Sequence, residues 1–170
     1  KYQSAAGGRK ALFALDNLWD GIGGLIATDP TVKYLSGKVT IYSTSPEMSR
    51  KAMVYYLDMS FGDREGLITS KNPETCTPEQ AAFFKEMFTG ADYKENYAIL
   101  NNYVKSLGDS IPPFIHLYIG LSPTMKTFGT TFDPDFGDCY DTAMIITTDD
   151  IYPDKYKRYV ESYEKCKVRK

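Results

Sequence analysis

Only three stretches of this sequence alternate apolar and polar residues as a half-buried strand does, and a larger number of helices must find cover against the sheet they make. In "GKVTIYST" (residues 37–44), Val39, Ile41 and Ser43 oppose Thr40 and Tyr42, with the β-branched content that suits a pleated surface. The other two candidates, residues 125–132 and 142–148, flank the acidic loop "DPDFGDCYD". The remaining periodic text is helical. Leu12, Leu15, Trp19, Ile22 and Ile26 form a stripe that starts near Arg9 or Lys10, is weakened by Gly21, Gly23 and Gly24, and stops before Asp29-Pro30. Ser45-Pro46-Glu47 predicts a second helix with Ser45 as N-cap and Pro46 at the first helical position. Capping arrangements at Thr77 to Gln80 and Asp92 to Glu95 open helices of roughly 78–88 and 93–107. The prolines at 112 and 113 suit only a first helical turn and predict a short apolar helix, and Pro153 begins a final one. The order is helix, strand, helices, two strands and a helix.

Composition narrows the function classes. Of 170 residues, 42% are hydrophobic and 25% charged, enough to bury one core. A net charge of −2 argues against nucleic acid as partner, because phosphate backbones are held by clustered Lys and Arg. Three cysteines, Cys76, Cys139 and Cys166, are odd in number and lack CxxC spacing, so reduced thiols and a cytoplasmic location are expected rather than a disulfide framework or a zinc site. No apolar run approaches the roughly 20 residues that cross a bilayer.

Three strands make a thin sheet for so many apolar helix faces, and the first helix has no strand before it. Against that background, "LDNLWDGIGGLIATDPTVKYLSGKVTIYSTSPEMSRKAMVYYL" resembles the lipid-linked branch of the GNAT superfamily, the hemolysin-like N-acyltransferases that include ornithine-lipid and glycine-lipid synthases. Trp19 to Gly23 matches that branch's Trp-x-Gly-Ile-Gly-like phrase, and Tyr34 to Val39 its strand entry. A second match is "IPPFIHLYIGLSPTMKTFGTTFDPDFGDCYDTAMIITTDDI", with residues 62–110 the loosest part. The resemblance implies an α/β, GNAT-like mixed sheet flanked by helices. It further implies a single domain over 1–170 that carries a helical insert at 62–110, with the N-terminal strands of the fold upstream of Lys1.

The resemblance also implies a chemistry. A long-chain acyl group would pass from a thioester to the amine of a small amino acid of glycine or ornithine type, in aminolipid synthesis. The donor would be acyl carrier protein or acyl coenzyme A, as cosubstrate rather than bound cofactor. GNAT proteins seat the donor's pyrophosphate or phosphopantetheine on a glycine-containing turn at a helix N-terminus, where free N–H groups and the dipole favour an anion. Gly7, Gly8, Arg9 and Lys10 occupy that place here. The pattern departs from the family's common form, so which of these groups act as donors stays open.

Acyl transfer needs a group to deprotonate the ammonium and an acid to reprotonate the leaving thiolate. His116, the one histidine, and Tyr118 are the candidates. Each has packing as its alternative, since they sit among Phe114, Ile115 and Leu117. Asp133, Asp135, Asp138 and Asp141 lack the EF-hand glycine and terminal glutamate, so a solvated turn is expected in preference to a calcium site. The last two strands border the acceptor cleft in GNAT proteins, so Asp138 or Asp141 is a candidate contact for the amine. Cys139 is expected to be a free thiol without a catalytic part. Tyr152, Tyr156, Tyr159 and Tyr163 with Lys155, Lys157 and Arg158 make the last helix amphipathic, open to core packing or to peripheral contact with an inner membrane surface. A non-catalytic carrier- or lipid-binding module, or a scaffold for a partner chain, are the alternatives to an enzyme.

Overall fold

The computed structural model of the chain describes residues 9–163, with side chains from Leu18 onward. They fall into two compact units, one built from the residues up to Leu35 together with those from Thr147, the other from Ser36–Ile146. Helices α1 (Arg9–Thr28), α2 (Glu47–Phe61), α3 (Pro78–Met87), α4 (Tyr93–Ser106), α5 (Pro113–Ile119) and α6 (Pro153–Tyr156) accompany strands β1 (Tyr34–Tyr42), β2 (Lys126–Asp133) and β3 (Cys139–Thr147). The strands form one sheet in the order β1-β3-β2. This is the mixed α/β architecture, a sheet flanked by helices, that the sequence led us to expect.

In the first unit, α1 packs against the segment that continues α6 into a π-helical turn, Lys157–Glu161. Contact is close because Gly23 has no side chain: a Cβ there would lie 1.9 Å from the carbonyl oxygen of Tyr159. The glycines that seemed only to weaken α1 therefore include one that admits a neighbour's backbone. The Thr148 amide donates to the Lys33 carbonyl at 2.9 Å, and its hydroxyl to that of Val32 at 3.0 Å.

In the second unit, α2 lies on the sheet and receives α3 and α4 on its other side. Helix α2 starts one residue later than its sequence suggests. Pro46, extended at ψ 140°, is the N-cap in place of Ser45, and with no side-chain oxygen it leaves the first turn uncapped. The expected caps of α3 and α4 form. Thr77 and Gln80 exchange both bonds of a capping box, and the Asp92 carboxylate accepts from Lys94 and Glu95 amides at 2.8 and 2.9 Å. The Glu95 carboxylate accepts from Ala91.

Strands β2 and β3 are antiparallel, with Thr131 opposite Asp141 and Phe132 opposite Tyr140. The register slips between Thr127 and Thr130, where Gly129 takes φ +82°, the left-handed value a bulge of this kind draws from glycine. Residues 62–77 form a strap along the outer edge of β2. The Asp63 amide donates to the Thr127 carbonyl at 2.9 Å, the Glu74 amide to that of Thr130 at 2.7 Å, and the hydroxyls of Ser70 and Thr131 are hydrogen-bonded. Lys51 and Arg50 of α2 hold the strap through Glu74, with Nζ and Nε at 2.7 and 3.7 Å from Oε1.

Tyr56 on α2 is fully buried. Its ring meets Phe61, Phe88 and Tyr97, and its hydroxyl donates to the Tyr93 carbonyl at 2.8 Å. Burial pushes its phenol far above the usual tyrosine value, with Tyr97 adding to the effect. The unfolded chain ionises this phenol near pH 10 while the native chain keeps the proton, so ionisation favours unfolding. Urea denaturation should therefore show the stability difference between the wild type and Tyr56→Phe constant below about pH 10. Above that it should shift against the wild type, by no more than about 1.4 kcal/mol per pH unit.

Candidate active site

Alternation along β1 sends Val39 and Ile41 into the core and leaves Lys38 and Thr40 on the opposite face. Asp141 of the neighbouring β3 reaches the same face. Its carboxylate pairs with the Lys38 ammonium and accepts from the Thr40 hydroxyl at 2.6 Å. The Lys38 ammonium also sits 4.3 Å from the centroid of the exposed Phe136 ring. The hydrogen bond to Asp141 raises the Lys38 pKa above its ordinary value, outweighing an opposing desolvation, with further attraction from Asp141 and Asp133. The result is a carboxylate and a cation side by side, with the lysine side chain 49% exposed and the aspartate 13%. Such a pair can address both ends of a zwitterion.

The loop that carries Phe136 is built by its own chemistry. The Asp133 carboxylate accepts from the Asp135 amide at 3.1 Å and caps the short 3-10 turn Pro134–Phe136. Gly137 and Asp138 then take φ of +75° and +51°, which reverses the chain into β3. Asp138 is exposed on this turn, so of the two aspartates singled out from the sequence it is Asp141 that the strand pairing engages. Among the described residues, no group of three or more His, Cys, Asp or Glu side chains is arranged to hold a metal ion.

Tyr118 and His116 lie elsewhere. The Tyr118 hydroxyl closes on Gly37 of β1, where a Cβ would come within 2.3 Å of it. Gly37 is in phase with Val39 and Ile41, so Tyr118 and the Lys38–Asp141 pair occupy opposite faces of the sheet. Burial raises the Tyr118 pKa above the usual tyrosine value. His116 is exposed, its ring 5.5 Å from that of Tyr97. Gly7 and Gly8 lie outside the described residues, as does Cys166; Arg9 and Lys10 are the first two residues of α1.

Comparison with known proteins is decisive along the sequence. The chain is 42% identical over 165 residues to the glycine N(alpha)-acyltransferase of Phocaeicola vulgatus, covering 97% of this chain and 50% of that protein. It is also 42% identical to the glycine N(alpha)-acyltransferase of Bacteroides thetaiotaomicron, covering 96% of this chain and 48% of that protein. The likeness spans nearly the whole chain. The chain in turn spans about half the length of these curated relatives. No family model and no solved structure matches it. Among the described residues, no helix is long and apolar enough to cross a membrane.

Lys38, Thr40 and Phe136 did not stand out in the sequence. The strand alternation that put Lys38 and Thr40 on a polar face was legible, but which strand lies beside β1 was not. Cys139, 1% exposed, donates its thiol to the Phe136 carbonyl at 3.2 Å, and burial raises its pKa, as burial also does for the half-buried Cys76. Both thiols should therefore alkylate more slowly in the native protein than in urea, Cys139 the slower. Their rates should keep climbing above about pH 8.5, where an ordinary thiol has already ionised. Peptide mapping after timed exposure to N-ethylmaleimide reads both sites.

Proposed function

We propose that the protein is an N-acyltransferase that moves an acyl group from a thioester to the amino group of glycine. The 42% identity to two glycine N(alpha)-acyltransferases along nearly all of this chain carries the reading. The resemblance to the lipid-linked GNAT branch supports the finer points. These are a long-chain donor carried on acyl carrier protein or coenzyme A, an aminolipid as product, and residues 62–110 as an insert within a GNAT-like domain.

In the reaction the ammonium of glycine first loses a proton. The free amine attacks the thioester carbonyl, the C–N bond forms, the C–S bond breaks, and the nitrogen's second proton ends on the departing thiolate. Lys38 and Asp141 suit the acceptor: the carboxylate of Asp141 faces the ammonium and the Lys38 ammonium faces the carboxylate of glycine. The N-terminus of α1, with Gly7, Gly8, Arg9 and Lys10, suits the donor's phosphates. Tyr118 and His116 are the candidates for proton transfer to sulfur. Tyr118 lies on the opposite face of the sheet from the Lys38–Asp141 pair, so Tyr118 and the pair serve one transfer only where the thioester crosses the edge of β1.

The full-length protein, incubated with palmitoyl thioester and glycine, should release thiol and form N-acylglycine, read by mass spectrometry. Absence of product with both carriers overturns the reading. Asp141→Asn should raise KM for glycine by about 10- to 100-fold, the value of a hydrogen bond to a charged group, and leave KM for the thioester unchanged. The double variant Arg9→Ala, Lys10→Ala should do the reverse.

A further inference from the structure

The second unit contains a partly open cavity of about 340 Å³ between α2 and the sheet, on the face opposite the Lys38–Asp141 pair. Val54 and Leu57 of α2 form one wall, Pro73 and Cys76 of the strap another, and Thr130 and Thr142 the floor. Its volume lies within the range of small-molecule sites. Filled with water it would take about ten molecules at ~30 Å³ each, and each would need two to four polar partners.

Most of the polar groups on the buried side of the lining are already engaged. The hydroxyls of Thr130 and Thr142 bond to each other at 2.7 Å, and that of Thr127 donates to the Leu57 carbonyl at 3.3 Å. The Glu74 carboxylate is held by Lys51 and Arg50, and the Glu74 amide by Thr130. The Cys76 thiol points its hydrogen to the Lys51 carbonyl at 3.8 Å. With the threonine hydroxyls turned to one another and to the main chain, the floor offers little polar capacity, and the charged Asp58, paired with Arg64 at 3.5 Å, and Thr75 lie on the exposed part of the lining. The bulge at Gly129 adds room, since that residue lines the cavity without a side chain. A space of this size and lining takes hydrocarbon in preference to a polar ligand.

We propose that this cavity binds an unbranched hydrocarbon chain, the distal part of a fatty acyl group, and sets the chain length the protein accepts. This rests on the acyltransferase reading for its biological sense, but not for its chemistry, and as a donor subsite it requires the chain to pass round the sheet from the face that carries the Lys38–Asp141 pair. Taking a methylene as roughly water-sized, the cavity holds a chain segment of about ten carbons. The same chemistry could arrive as the acyl group of the thioester donor or as a free fatty acid.

Cys76 provides a readout that needs no turnover. In the full-length protein, decanoate, dodecanoate and hexadecanoate below their micellar concentrations, and in parallel a non-transferable acyl-thioether analogue of the donor, are tested for protection of Cys76 from N-ethylmaleimide. At a ligand concentration about ten times Kd, Cys76 alkylation should slow about tenfold, with glycine giving no protection. Protection by the fatty acids marks a site for free chains, and protection by the analogue alone marks the donor's acyl group; either supports the cavity. Ala81→Phe places a ring in the cavity and should abolish protection and shift acyl transfer toward shorter chains, while Val54→Ala, which enlarges it, should shift transfer toward longer ones. Melting curves confirm that each variant folds. Unchanged alkylation with every chain, or protection and chain preference unaltered in both folded variants, overturns the proposal. If protection is found but no N-acylglycine forms, the cavity stands and the acyltransferase reading falls.

Discussion

The second unit is organised around the burial of one phenol. Tyr56 is fully enclosed, yet its hydroxyl must find a partner, because an unpaired buried hydroxyl costs about 1–3 kcal/mol. The Tyr93 carbonyl, in the first turn of α4, supplies it. That bond fixes where α4 begins along α2, and the ring contacts with Phe61, Phe88 and Tyr97 fix how the helices lie. Phe84 adds α3 to the cluster through Phe88 and Tyr55. With one side of α2 committed to these helices, Ala52, Met53 and Leu57 complete a core with Val39, Ile41, Met144 and Ile146 of the sheet. The cavity lies where this core stops short of the strap.

The Lys38–Asp141 pair owes little to the same core. A pair with a lysine this exposed contributes little to stability. What the arrangement offers instead is order. Thr40 holds one oxygen of Asp141, Lys38 the other, and Phe136 lies against the lysine, so a charged acceptor meets groups already placed. Pre-placed charges lose less entropy on binding than side chains that must be gathered.

Much of this was legible from the residues. Capping chemistry located α3 and α4 almost to the residue, because Thr77, Gln80 and Asp92 act within one turn of themselves. Alternation located all three strands, since a half-buried sheet imposes it directly. What escaped depends on partners distant in sequence. Lys38 and Asp141 are 103 residues apart, and nothing local in either strand says that β3 rather than β2 lies next to β1. The strap escaped notice because its role is played by main-chain groups, which carry no side-chain signature. Gly23 looked like a helix weakener because the neighbour it admits, Tyr159, is near the other end of the chain.

The strap has a consequence for how this sheet can be extended. Its residues engage the Thr127 and Thr130 carbonyls on the outer side of β2 and bridge to Thr127 and Thr131, where another strand would otherwise pair. Strand β3 is enclosed on both sides, and among the described residues β1 pairs with β3 alone. The sheet is thus one-ended: a fourth strand, whether from this polypeptide or another, can join only along β1. Such growth leaves the strap, and the cavity beneath it, untouched.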